Sequence, residues 1–403
     1  MTSPLNSISS PAAQPLSRAQ TAAPFEVETV ATPSDIETEW RHLEAIGYGT
    51  IFQRYDWVDA YVRHVLEHEK AWPAIVLGKL HSRPAFILPL AISKVGPARM
   101  ARWIGGNHSG YNFGLWSPEA VAVMSSMKRV EIEKMLARAL GDADCAVLVR
   151  MPKIHDGVVQ PLASLTSSPS PTEGYAFDLA GGFEAVLERT DGAGRRRGVR
   201  TKERRLAKVG TLQYGKSQDL AQAKAALDFF FEQKALRLAE QGKPNSFAEP
   251  GVLDFFRDLL ERSQTMDEPL LEMTELSVDG KIRAARAAGI HRGRLNGYFM
   301  TFAKDELVSH SPGHVLLFRH IEECCERGIT TYDLGVGYEE YKTHWCDIIQ
   351  ELDDAYAAFT PLGSAMIATI RLGQAVKARM RQNKFLWQHL KAARAYLLRR
   401  STE

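Results

Sequence analysis

The sequence predicts an α/β (α+β) fold of two tandem halves, each a mixed twisted sheet flanked by helices, with a basic helix at the C-terminal end. Three observations predict it. A chain of 403 residues suits two domains better than one. Helical and strand periodicities alternate along it, which puts helices on the faces of sheets. The order of elements also repeats. Each half has helices, a hairpin around a short polar turn, a glycine-bearing loop or strand, a helix, and a buried strand ending near Met151 or Leu334. No residue identity links the halves, so the repetition is architectural.

Phe25–Val30 reads as an opening strand, and Pro33-Ser34 starts a helix through Trp40, Leu43 and Ile46. Trp57, Tyr61 and Val65 continue at helical spacing. Ala74–Leu80 and Pro84–Ile92 form a hairpin around His81-Ser82. Next comes a glycine-rich loop, Trp103–Asn112, whose Asn107, His108 and Tyr111 either form an ordinary turn or line a substrate. Pro118–Leu140 is a helix and Cys145–Met151 a buried strand. The Ser/Pro/Thr-rich stretch Pro161–Glu173 is the expected crossing between domains.

The second half opens with Phe183–Val209, a basic run that includes Arg195, Arg196, Arg197, Arg200, Lys202, Arg204 and Arg205. Such a run is a solvated face or an anion-binding helix. It has no interleaved aromatics, which argues against stacking on single-stranded nucleic acid. Ala221–Glu240 and Pro250–Ser263 are helices. Leu270–Val278 and Ile282–His291 are a hairpin with Asp279-Gly280 as its turn, and Arg294–Phe302, carrying Tyr298, is a third strand. Gly363–Arg400 is basic, with Leu372, Val376 and Leu390 among its apolar positions. It reads as a helix packed on the body, or as one lying on an anionic membrane or a partner synthase.

Net charge is only +2, so bulk electrostatics favour no polyanionic partner. The four cysteines show no CxxC and no Cys/His metal spacing, and Cys324 and Cys325 are adjacent, so reduced thiols and no metal site are expected. Residues 1–23 are rich in Ser, Pro, Ala and Gln, without an early basic cluster or apolar core, and read as a disordered leader. The longest apolar run, Pro84–Ile92, falls short of the roughly 20 residues that cross a bilayer. A cytoplasmic protein is expected, with contact at the inner membrane face through 371–400 as an option.

The stretch Val308–Cys346 concentrates the chemistry. Ser311-Pro312-Gly313 breaks the chain before a helix marked by Val315, Leu316, Phe318 and Ile321, and Ile329–Leu334 is a short buried strand ended by Gly335-Val336-Gly337. A helix start facing a strand end gathers free N–H groups and a positive dipole, which suits a phosphate. An ordinary helix–strand unit reads equally well from the residues. A methyltransferase glycine loop fits worse, since Glu339 stands where a further glycine is needed.

In this order, Phe52…Trp57, Arg204-Arg205-Leu206…Gly210, Ser311-Pro312-Gly313 and Tyr332-Asp333-Leu334-Gly335…Gly337…Tyr341-Lys342…Trp345 resemble the FemAB-like branch of the GNAT N-acyltransferases. Within it they resemble the CelD-like group often met beside bacterial cellulose or exopolysaccharide genes. The resemblance covers roughly Phe25–Phe359 and implies two GNAT-like domains, at 24–165 and 175–362, followed by a tail at 363–403. It also implies acyl transfer from an acyl-CoA such as acetyl-CoA to an amine, here a small molecule or glycan precursor. A GNAT pyrophosphate loop carries Arg or Gln before two close glycines, and here only Gly313 is present.

Carried onto this chain, Ser311, Pro312, Gly313 and His314 would hold the donor phosphates. Asp333 would accept the acceptor's proton, with His310 and His314 as alternative bases. Tyr341 and Lys342 would bind the acceptor and assist the leaving group, while Asn107, His108, Tyr111, Arg196, Tyr298 and Trp345 would line the substrate. Two rivals stand beside this: a non-catalytic accessory of a polysaccharide synthase, and a FemX-like transferase using aminoacyl-tRNA bound through the basic helix.

Overall fold

The computed structural model describes residues 24–382. The expected leader at 1–23 and the tail beyond Gln382, with Lys384, Lys391 and Arg394, lie outside the described residues. The N-terminal half runs β1 (Glu26–Val30), α1 (Glu37–Ile46), α2 (Tyr55–Tyr61), β2 (Ala71–Pro73), β3 (Ile75–Leu80), β4 (Arg83–Leu88), β5 (Leu90–Val95), β6 (Ala98–Trp103), β7 (Leu115–Trp116), α3 (Pro118–Ser126), α4 (Arg129–Ala139) and β8 (Cys145–Pro152). A short β9–β10 pair (Ile154–His155, Val158–Val159) and β11 (Thr166–Pro169) follow. The C-terminal half runs β12 (Gly174–Asp178), α5 (Gly182–Glu188), α6 (Gly192–Ala207), β13 (Leu212–Lys216), α7 (Leu220–Glu240), α8 (Val252–Ser263), β14 (Glu272–Val278), β15 (Lys281–His291) and β16 (Arg294–Phe302). It closes with α9 (Pro312–Glu326), β17 (Thr331–Val336), α10 (Glu340–Thr343), β18 (Ile348–Gln350), β19 (Leu352–Ala358) and α11 (Pro361–Gln382).

The N-terminal half holds a four-stranded sheet, β1-β3-β4-β7, and a six-stranded one, β11-β19-β8-β6-β5-β2. The predicted run Pro84–Ile92 is split between them, because Pro89 has no N–H for a ladder and the chain changes sheet there. The C-terminal half is one seven-stranded sheet, β13-β14-β15-β16-β17-β12-β18. Its Asp279-Gly280 turn has positive φ at both residues (49° and 73°), as a two-residue hairpin requires.

Three expectations are corrected. The single helix over Pro118–Leu140 is two: Met127 is extended, and Glu131 accepts the Lys128 N–H at 2.7 Å to cap the second. The Pro161–Glu173 crossing contains an edge strand, β11, so the N-terminal sheet reaches past residue 165. The C-terminal unit does not run unbroken to 362. β19 pairs with β8 and β11 inside the N-terminal sheet, and its sequence LDDAYAA hides a buried strand behind two aspartates.

The halves share a core in which α2 packs on α8. Trp57 and Tyr61 meet Phe255 edge-on, with ring centroids 5.2 and 5.3 Å apart. Each such fully buried side chain stabilises by about 1.5–3 kcal/mol. At the rim Arg262 bridges Asp258 on its own helix to Asp59 on α2, at 2.8 and 2.7 Å. Among the described residues no helix is long and apolar enough to cross a membrane.

Candidate active site

In the C-terminal sheet β16 and β17 run parallel for three pairs only: Arg294–Thr331, Leu295–Tyr332 and Asn296–Asp333. Beyond them β16 stays with β15 and β17 stays with β12, so the two strands part. The parting opens a cavity of about 550 Å³ that reaches both faces of the sheet. Its apex needs glycines. A Cβ at Gly335 (φ 77°) would lie 2.9 Å from the Gly297 carbonyl oxygen, and one at Gly297 would lie 2.6 Å from Arg286 Nη2.

Asp333 sits at this apex and is 1% exposed. Its Oδ1 accepts from Tyr111 Oη at 3.0 Å and from the Gly335 N–H at 2.7 Å, while Arg294 Nη1 lies 3.4 Å from Oδ2. Burial raises its pKa above the ordinary carboxylate value, against the opposing pull of Arg294, the Gly335 N–H and Tyr111. A carboxylate so placed is a proton acceptor with one lightly held oxygen.

Lys342 is buried and close by, yet its Nζ donates to three carbonyls, those of Gly335, Val336 and Gly337, at 3.1, 3.2 and 3.0 Å. An ammonium has three hydrogens, so the expected role in holding acceptor or leaving group is corrected. Lys342 braces the glycine corner that aims Asp333. Tyr341 lines the cavity, and burial pushes its phenol up to about 12.

Ser311, Gly313 and His314 line the opposite wall at the start of α9. Ser311 is left-handed (φ 50°), and Pro312 occupies the first turn, buried beneath the wall rather than in it. His314 Nδ1 is 3.3 Å from Lys202 Nζ; burial and then that cation lower its pKa, which keeps the ring neutral. His310 does not line the cavity.

The N-terminal half supplies the remaining wall through Phe52, Asn107, His108 and Tyr111, facing Tyr298. His108 packs against Phe247 and Phe256, and burial drops its pKa to about 4. Its Nε2 has no partner among the described residues. Two predicted residues lie elsewhere. Arg196 points outward to an ion pair with Glu184. Trp345 stacks on Phe177, 6.0 Å between centroids, under the Arg195 guanidinium at 4.4 Å, and so fills core.

Residues that sequence reasoning missed include Asn296, Arg286, Lys234 and Arg237, all lining the cavity. Asn296 is 3% exposed and its Oδ1 has no partner. The available signal was polarity on buried strand positions: Asn296 and Arg286 interrupt apolar alternation in β16 and β15.

The acetyltransferase (GNAT) domain family matches residues 193–343, the part of the chain that holds the cleft. No curated protein matches the sequence. Among solved structures, FemX has a TM-score of 0.54 at 12% identity, over 81% of this chain and 96% of its own. The C-terminal domain of a putative lysylphosphatidylglycerol synthetase from Agrobacterium fabrum gives 0.52 at 11%, over 84% and 97%. A conserved protein of unknown function from Bacteroides thetaiotaomicron gives 0.52 at 11%, over 82% and 100%. At such identities the likeness is one of fold. The chain therefore has a tandem GNAT-like fold similar to that of FemX, with an acetyltransferase (GNAT) domain match over residues 193–343.

Proposed function

We propose that the protein is an N-acyltransferase that moves an acyl group from an acyl-CoA thioester to an amine across the β16–β17 cleft. The observation that carries this reading is Asp333, a buried carboxylate of raised pKa at the apex of a cleft that opens to both faces of the sheet. The donor enters beside α9, whose N-terminal dipole and adjacent Lys202 suit its phosphates. Beyond Asn296, the cleft-side edge of β16 has no strand partner and offers backbone donors and acceptors to an extended amide-bearing arm. The amine arrives from the side of Asn107, His108 and Tyr298, where Asn296 Oδ1 is an unmet acceptor for an ammonium N–H.

Asp333 takes a proton from the ammonium, and the freed amine attacks the thioester carbonyl. The C–N bond forms and the C–S bond breaks. The departing thiolate takes a proton from the Tyr341 hydroxyl, and the attacking nitrogen gives up its second proton, through solvent, to restore that hydroxyl and leave a neutral amide. An acceptor tied to cellulose or exopolysaccharide assembly rests on the sequence resemblance alone.

The test is thiol release from acetyl-CoA and longer acyl-CoAs across an amine panel, run with wild type and Asp333→Asn. Release by wild type and its loss in the variant support the reading. A panel in which no thioester is turned over or raises the melting temperature overturns it.

A second donor has one observation in its favour. Arg197, Arg200, Arg204 and Arg205 are exposed along α6 and free of ion pairs among the described residues, a surface suited to an aminoacyl-tRNA. Steeply salt-dependent tRNA binding would favour it.

A further inference from the structure

The proton transfers above make no use of Arg286. It stands in the middle of β15, between Ala284-Ala285 and Ala287-Ala288, and is 2% exposed. A guanidinium stays charged at any accessible pH, and burying it is costly unless an anion or acceptors meet it. The other buried arginines of this sheet are met: Arg283 pairs with Asp305 and Glu306, and Arg294 with Asp156 and Asp333. Arg286 has no ion pair among the described residues, and its Nε and Nη2 are buried without a hydrogen-bond partner. Its cation lies 5.0 Å from the Tyr332 ring centroid, which answers the charge in part but accepts none of the N–H bonds.

The side chain is aimed. It lines the same cavity as Asp333, and its Nη2 occupies the space that a side chain at 297 would fill, where β16 and β17 part. A planar fork of donors at such a point matches a carboxylate, two N–H groups to two oxygens.

The geometry points to Arg286 as a carboxylate receptor at the apex of the cleft: the group seated beside Asp333 carries a carboxylate, on the transferred acyl chain or on the amine acceptor. Only the question of which ligand brings the carboxylate rests on the acyl-transfer reading. Arg286 is then the residue that selects an acidic substrate, and it takes no part in moving the proton.

The test is thermal unfolding of the full chain with matched ligand pairs. Acetyl-CoA against succinyl-CoA places the carboxylate on the donor, and alaninamide against alanine places it on the acceptor; free succinate is a third probe. Wild type is expected to show the larger rise in melting temperature with the acidic member of one pair, and that pair names the source. Arg286→Met and Arg286→Lys should erase the difference while keeping the rise given by the carboxylate-free member. The affinity lost should be at least about tenfold, the scale of one charge-assisted pair. Without ligand, Arg286→Met should melt higher, by about 2 °C, because it removes an unanswered buried charge.

Equal rises within both pairs, a difference that survives Arg286→Met, or a ligand-free variant that melts lower would each overturn the proposal. Silence from both CoA thioesters alongside an Arg286-dependent rise with succinate or alanine defeats the acyl-CoA donor and keeps the receptor. CoA thioesters that stabilise equally, with no effect of a carboxylate anywhere, do the reverse.

Discussion

Each half of the molecule contains the same device, a pair of parallel strands that run together briefly and then part. In the C-terminal half β16 and β17 leave an open cleft. In the N-terminal half β6 and β8 pair only at Met100–Cys145 and Ala101–Ala146, and the chain itself fills the gap beyond. Asn112 donates its N–H to the Arg150 carbonyl at 3.0 Å and its Nδ2 to that of Val149 at 2.9 Å, and Phe113 is fully buried beside it. One gap is core and the other is the candidate site. The filling loop also does a second job, since Tyr111, next to Asn112, reaches across to Asp333. The filled gap supplies a wall of the open one.

That contrast is open to attack at four points. Asp333→Asn should lower kcat by about 10²–10⁴-fold, the span of a lost general base. Its melting temperature at neutral pH should hold or rise. A carboxyl whose folded pKa lies above its unfolded value adds stability at low pH and loses it as pH climbs through the folded value, so at neutrality the ionised group is a cost that Asn removes. Lys342→Met should cost about 1–3 kcal/mol in chemical denaturation, because three partly buried carbonyls lose a charged donor. Its pH–rate profile should keep its shape, which separates a brace from a base.

Asn112→Ala should cost about 1–3 kcal/mol by leaving the Val149 carbonyl unanswered. The matching change Asn296→Ala, at a side chain whose Oδ1 is already unpaired, should cost less stability and raise KM for the amine. Equal denaturation midpoints for the two would break the comparison. The smallest effect is in Tyr111→Phe. Its hydroxyl stabilises the ionised form of Asp333, so its loss should move the acid limb of kcat/KM to higher pH, with kcat nearly unchanged above that limb.

The sequence carried the walls of the site further than its interior. Ser311, Gly313, His314, His108 and Tyr111 stood out because glycines, a proline and clustered hydrogen-bonding side chains punctuate loops, and loops are where local chemistry is legible. The hairpin at Asp279-Gly280 was readable for the same reason. Arg286 and Asn296 were not, since a polar residue in a strand shows its meaning only when the neighbouring strand turns away, and that is a matter of pairing. Lys342 and Trp345 carried the motif but not the roles given them: three carbonyls of a folded corner claim one, and an aromatic stack behind the sheet claims the other. β19 escaped notice because its aspartates face a partner just over two hundred residues earlier, as when Asp354 accepts the Arg150 N–H at 3.0 Å.

The return of β19 has a consequence for how this chain is made. While the ribosome is still extending the second half, the first half lacks an inner strand of its six-stranded sheet, and β8 has an open edge where β19 will lie. The N-terminal half therefore cannot finish folding as an early, self-contained unit, and closing that gap is a late, long-range event. Cutting the gene between Pro169 and Gly174 would yield a first piece with an unguarded, sticky strand rather than two working parts.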